Sequence, residues 1–193
     1  MGTAVGPLRV EWKRPGRMRM EVGLPEGTVL RLVDGASGWT SKNAGLAPLQ
    51  PMSEAELARA RREADMDGPL VDSAAKGIRF ALADAAGAVL GKPADALDVF
   101  FPDGTVQRYY LDAATHEPLG WDETRRVDGQ PWAEETRFYR SQRVDGVLFP
   151  VALSSAVRGQ KGAIHISIDT VELNPGLPDV LFRPSPPAAA PNP

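Results

Sequence analysis

Between Leu97 and Arg126 three segments of period-two patterning are separated by turn-forming residues, a pattern that an antiparallel sheet accepts and a helix does not. Leu97, Val99 and Phe101 alternate with Asp98 and Phe100, and Pro102-Asp103-Gly104 follows. Val106, Arg108 and Tyr110 then alternate with Gln107, Tyr109 and Leu111. After a polar stretch from Asp112 to Pro118, a third segment places Trp121 among charged neighbours. Proline presets φ and glycine admits positive φ, so residues 102–104 supply a tight reversal. The stretch predicts a three-stranded meander in which each strand has one wetter face.

The same grammar extends in both directions. Leu8, Val10 and Trp12 alternate up to Arg14-Pro15-Gly16, and Met18, Met20 and Val22 alternate up to Pro25-Glu26-Gly27. Thr28 to Val33 follows with Leu30 and Leu32 on one face, then Asp34-Gly35 and a short strand at Gly38 to Ser41 that carries Trp39. Asn43 to Pro51 reads as a loop. Downstream, Ile78, Phe80 and Leu82 alternate, Ala85 to Gly91 is a weak segment, and Trp132 to Arg140 is a strand with Trp132, Glu134, Thr136 and Phe138 on one face. Val147 to Val157 is a further strand, in which Pro150 favours an edge or a bulge. Ile164, Ile166 and Ile168 drive a final long strand to Leu173, and Leu181-Phe182 places one aromatic plug ahead of a Pro/Ala-rich tail, 185–193, expected to be disordered. These readings sum to about ten sequential antiparallel strands, a mainly β chain forming a strongly curved sheet or half-open β-barrel.

One segment changes period. Ser53 and Glu56 form a capping box, Met52 and Leu57 a hydrophobic staple, and helix-forming residues continue to about Ala64. The apolar stripe, Leu57, Ala60 and Ala64, is thin, so the helix should lie over the sheet, as a lid or as edge cover.

Composition excludes several classes of function. The net charge of −3 argues against a nucleic-acid surface or a polybasic membrane patch, and the absence of cysteine removes disulfides, thiolate metal sites and a cysteine nucleophile. No apolar run reaches the roughly 20 residues of a spanning helix, and the first residues show no signal-peptide pattern. No metal site, cofactor motif or catalytic fingerprint is present; Asp65-Met66-Asp67-Gly68 matches only a fragment of a calcium loop. His116 lies in a turn and His165 in a strand, and no spacing supports a triad of Ser154, His165 and Asp169.

A binding reading has more to hold. Val10, Trp12, Met18, Met20, Val22, Leu30 and Leu32, followed by Phe80, Leu82, Val99, Phe101, Tyr110 and Trp121, suit either a filled core or the lining of an apolar cavity. Methionines at alternating positions offer adaptable surface for flexible apolar ligands.

Lys13-Arg14-Pro15-Gly16-Arg17-Met18-Arg19-Met20-Glu21, the Gly35 to Trp39 segment, Ala64 to Leu70, Tyr110-Leu111-Asp112 with Thr115, Arg143 to Val147 with Pro150, and Asn174 with Phe182 and Pro184 occur in the order seen in the outer-membrane lipoprotein-sorting proteins. Over residues 8–184 the chain resembles this LolA-like superfamily. The resemblance implies a half-open antiparallel barrel whose concave apolar face holds acyl chains beneath a lid, in the bacterial periplasm. Trp39 and Leu57 then join the cavity lining, and Arg14 stands where the family's lid latch bonds lid backbone carbonyls. Residues 1–184 are expected to form a single domain that lacks the family's amino-terminal helix and first strand. The expected function is non-enzymatic binding of a lipid or lipoprotein acyl chains, without cofactor, with an envelope acceptor or regulatory protein as partner. A regulatory domain of the same fold is the alternative, and a hydrolase using His116 or His165 a remote one.

Overall fold

The computed structural model of the protein describes residues 6–41, 48–84, 87–127 and 129–184. The expected tail from 185, most of the expected loop from Asn43, the start of the weak segment at Ala85 and the turn position Asp128 lie outside these residues. The chain divides between Val71 and Asp72, and again between Pro175 and Gly176, into two compact units.

The first unit is an antiparallel sheet of β1 (Leu8–Lys13), β2 (Arg17–Leu24), β3 (Gly27–Asp34), β4 (Ser37–Thr40) and β5 (Gln50–Pro51), paired in chain order. Trp12 stands opposite Met18, Met18 opposite Val33, and Val33 opposite Gly38. Since side chains alternate, Val10, Trp12, Met18, Met20, Val22, Val33 and Gly38 share one face, while Leu30, Leu32 and Trp39 share the other. The short β5 was not anticipated; two residues pairing with Trp39 and Thr40 carry too little pattern to read.

The expected helix is α1 (Glu54–Glu63), with both halves of the Ser53/Glu56 capping box formed. It lies on the Met18 face. Ala60 and Ala64 are fully buried and cluster with Met18 and Val33, and Val10, Met20 and Met52 pack around them. A Cβ added at Gly38 would lie 2.8 Å from Leu57 Cδ1 and 2.9 Å from Met52 Sδ, so Gly38 opens the seat for the start of the helix. The thin stripe is therefore a close-packing device: alanines let the helix backbone approach the sheet.

The second unit contains β6 (Arg79–Leu82), β7 (Ala88–Val89), β8 (Lys92–Phe100), β9 (Val106–Asp112), β10 (Pro118–Val127), β11 (Gln130–Val144), β12 (Val147–Val157) and β13 (Ile164–Ser167). Its sheet runs β13-β12-β11-β10-β9-β8-β6, all antiparallel, with β7 pairing the start of β8. The central meander is β8 to β10, as its turns predict. At Gly120 φ is +144°, and a Cβ there would lie 2.1 Å from the Thr136 carbonyl oxygen, so only glycine lets β10 and β11 pair at this point. Pro150 pairs with Ser141 at the second of two register shifts in β11, a bulge of the kind expected.

The last strand is shorter than its isoleucine alternation suggests. It stops at Ser167, and the final ladder bond runs from the Ile168 N–H to the Val151 carbonyl. Alternation records which side is apolar, whereas a ladder needs a straight partner, and the pairing of β12 with β11 skips Val151, passing from Ala152 to Pro150. Beyond it, Phe182 forms the expected plug in a 3-10 turn, Asp179–Phe182, of the first unit and has no exposed surface.

If alanine size seats α1, Ala60→Leu overpacks the contact and lowers stability by about 1–3 kcal/mol. Leucine at the exposed Ala55 leaves stability within about 0.5 kcal/mol. Urea unfolding of both variants checks this.

Candidate functional site

Each sheet contributes an apolar face. In the first unit Val10, Met18, Met20 and Val22 lie on the face that α1 covers, with Leu57 above Gly38 and Trp12 at the margin. The Trp12 indole Nε1–H donates to the Glu63 carbonyl at 2.9 Å, satisfying one of the last acceptors of the helix. Glu63 also takes Arg31 at 2.8 Å and Arg59 at 2.9 Å. Arg14, past the end of β1, is a fork on the Asp67 carboxylate, with Nε 3.0 Å from Oδ1, and is raised in pKa first by that hydrogen bond and then by the charge of Asp67. Arg14 thus engages a side chain in the turn after α1, and the contact to helix backbone is made by Trp12. A hollow of about 330 Å³ between α1 and the sheet is lined by Arg31, Thr40, Met52, Glu56 and Arg59 and is mostly polar.

Leu30, Leu32 and Trp39 belong to the opposite face of that sheet. Leu32 is buried there, on the side where the carboxyl-terminal segment is held by charge. Asp34 accepts from Arg17 Nε at 2.7 Å and from Arg183, Lys13 Nζ reaches the Leu177 carbonyl at 2.6 Å and Asp179 at 2.7 Å, and Arg19 reaches the Leu181 carbonyl at 3.3 Å. The hydrogen bonds from Arg17 and then Arg183 hold the Asp34 carboxyl below the usual carboxylate range.

In the second unit, pairing puts Phe80, Leu82, Leu97, Val99, Tyr109, Trp121, Phe138, Leu153 and Ile166 on one face. Trp121 meets Tyr109 at 5.6 Å between ring centroids and Phe138 edge-on at 5.1 Å. Val99 is fully buried, whereas Phe80 is 51% and Leu82 88% exposed. Phe101 follows β8, half-buried, and its N–H closes the turn on the Thr105 carbonyl.

Tyr110 stands on the other, charged face. Its hydroxyl donates to Asp122 at 2.8 Å, Arg137 lies 5.1 Å over its ring, and burial followed by that hydrogen bond pushes its pKa up to about 12. Both faces of β9 carry a tyrosine, so alternation alone does not tell which one joins Trp121; the register does. Leu97, Tyr109, Phe138, Leu153 and Ile166 are the members that the sequence-derived set lacks. Their signal is the pairing of successive hairpins, by which Leu97, Tyr109 and Trp121 fall in one row. His116 is exposed in a turn at φ +58°, and His165 pairs in register with Ser154, whose hydroxyl lies 3.1 Å from that of Tyr139.

No protein-family model matches the sequence, and no match was found among curated proteins. Solved structures do match in fold. A domain named for outer membrane lipoprotein sorting from Vibrio parahaemolyticus aligns with TM-score 0.60 at 15% identity, over 94% of this chain and 85% of that one. A LolA superfamily protein from Nitrosomonas europaea aligns with TM-score 0.58 at 12% identity, over 93% and 86%. A DUF1329 family protein from Desulfovibrio piger aligns with TM-score 0.57 at 14% identity, over 91% and 79%. The chain has the LolA-like fold: mainly β, antiparallel, with a helix laid on the sheet.

Asp34 has a lower pKa folded than its unfolded value of about 3.9, so its stabilisation is present above about pH 4 and is lost as pH falls through the folded value. Protection of the Leu181 and Arg183 amides against hydrogen exchange, measured relative to the intrinsic rate at each pH, should therefore fall below pH 4. Asp34→Asn should show the reduced protection already at pH 7.

Proposed function

We propose that this protein is a non-enzymatic periplasmic binding protein that holds an amphiphile, a lipid or the acyl chains of a lipoprotein, on the apolar face of its second sheet. The observation that carries this reading is the run of Leu97, Tyr109, Trp121, Phe138, Leu153 and Ile166 across six strands. The one helix among the described residues belongs to the other unit, so no helix of its own unit covers the run. An acyl chain laid on such a face gains about 0.8 kcal/mol per buried methylene. Ten methylenes would contribute about 8 kcal/mol, more than a neutral hydrogen bond supplies, and rigid aromatic rings offer that area at small entropic cost. Two further supports are the fold shared with proteins named for lipoprotein sorting and the absence, among the described residues, of any helix long and apolar enough to cross a membrane.

In this reading residues 1–184 act as one domain, and α1 is a lid over Val10, Met18 and Met20, the methionines being soft surface for a chain when the lid lifts. Arg14 with Asp67, and Trp12 with Glu63, fasten its carboxyl end.

Native mass spectrometry of protein made in a bacterial periplasm behind an added signal peptide tests the binding. The expected result is a discrete bound mass matching a phospholipid or acylated species, lost in a folded Trp121→Asp variant. Protein that is empty and takes up no long-chain fluorescent lipid would rule the reading out. For the fastening, Trp12→Phe keeps the ring and removes one donor, worth about 1 kcal/mol. Exchange at the Ala64 and Asp65 amides, which bond to Ala60 and Arg62 carbonyls, should then rise about fivefold.

A further inference from the structure

β1 is the edge of the first sheet. It pairs with β2 over Leu8–Lys13 without a register shift, and no strand among the described residues pairs its outer side. The Gly23 N–H donates to the Pro7 carbonyl at 2.8 Å, so in this antiparallel ladder Arg9, Glu11 and Lys13 turn their main-chain N–H and carbonyl groups to β2. Those of Leu8, Val10 and Trp12 point outward. Open edges are usually blunted by proline, by a bulge or by a charge on the packed face. Between Pro7 and Pro15 β1 has neither proline nor bulge, and its charges stand on the face away from α1. On the α1 face Leu8 is 37% and Trp12 41% exposed.

The sequence of this edge is complementary to itself. Pairing through the outward groups requires Leu8, Val10 and Trp12 of one copy to meet the same three residues of another. With Val10 opposite the partner's Val10, Leu8 meets the partner's Trp12 and Arg9 meets the partner's Glu11, and a two-fold axis makes each of these contacts twice. The register inside each copy extends the row: Glu21, Arg9, the partner's Glu11 and the partner's Arg19 alternate in sign along it.

Other registers lose this match. A shift of two residues one way sets Glu11 against the partner's Glu11 and Arg9 against the partner's Lys13, and a shift the other way sets Arg9 against the partner's Arg9. Like charges directly opposite destabilise a strand pair, so charge selects the register centred on Val10. In that register the ladder gains about six main-chain hydrogen bonds.

We propose that two copies of this protein associate through antiparallel pairing of β1 with the partner's β1, centred on Val10, so that their first sheets become one continuous sheet. This association does not depend on the binding of an amphiphile.

Sedimentation velocity of the full chain, from micromolar to submillimolar concentration, tests it. The expected result is a concentration-dependent equilibrium of monomer and dimer, because an interface of one strand from each copy is small. Hydrogen exchange should show the Val10 and Trp12 amides gaining protection with concentration, while those of Arg9 and Glu11, already bonded to β2, change little. Val10→Pro removes an outward N–H that the isolated chain does not use, and Arg9→Glu reverses a side chain that is 70% exposed. Each should weaken association at least about tenfold, the two-fold axis counting every change twice. Arg9→Glu mixed with Glu11→Lys should dimerise again, since unlike charges then meet at both contacts, a recovery that misfolding cannot produce. A chain that stays monomeric throughout overturns the inference. So does a dimer that Val10→Pro and Arg9→Glu both leave intact, or a mixture that stays monomeric with both of its variants folded by circular dichroism.

Discussion

Cross-strand register is the constraint on which the rest of this protein depends. Side chains on a strand alternate with a period of two, so a slip of one residue would exchange every apolar face for a charged one. In the first sheet the pairing of Trp12 with Met18 and of Met18 with Val33 gathers the surface on which α1 lies. In the second, Leu97, Tyr109 and Trp121 share a row, while Tyr110 and Arg108 are turned to the side of Asp122 and Asp98. Glycine secures this register where bulk would break it: at Gly120 the backbone of β11 is too close for any side chain.

The two units use their faces differently. The first fills one face with a helix whose contact residues are alanines, so the seat depends on close approach and on dispersion between well-packed atoms. The ion pairs around it, Arg31 and Arg59 with Glu63 and Arg14 with Asp67, are partly exposed and add direction more than stability. Its other face is closed by the returning carboxyl-terminal segment, where Phe182 supplies burial and Asp34 gathers two arginines. Among the described residues the second sheet has no such helix in its own unit, and large side chains such as Leu82 remain open to solvent at its margin.

An apolar face that grades into a partly buried charged row has a chemical direction. A hydrocarbon chain gains from the aromatic end by transfer from water, and a polar group gains from the other end only if its charge and hydrogen bonds match what is there. In this sheet that row is a connected polar network, in which Tyr109, Gln107, Glu123 and Arg125 are hydrogen-bonded in series and Glu134 accepts from Ser155.

The succession of strands, the turns that separate them and the single capped helix were legible in the sequence because each is a local property. Alternation marks strands, Pro102 to Gly104 marks a reversal, and Ser53 with Glu56 marks a helix start. The LolA-like fold was legible too, from the order of several weak motifs that the solved structures match in fold. What only the tertiary structure decided is which side chains meet. Leu30, Leu32 and Trp39 part from Met18 and Met20, Tyr109 replaces Tyr110 beside Trp121, the Ile164 strand stops at Ser167, and Asp67 becomes the partner of Arg14. Those outcomes follow from register, bulges and contacts between residues far apart in the chain, 53 positions in the case of Arg14 with Asp67, and periodicity within one strand carries no information about its neighbour.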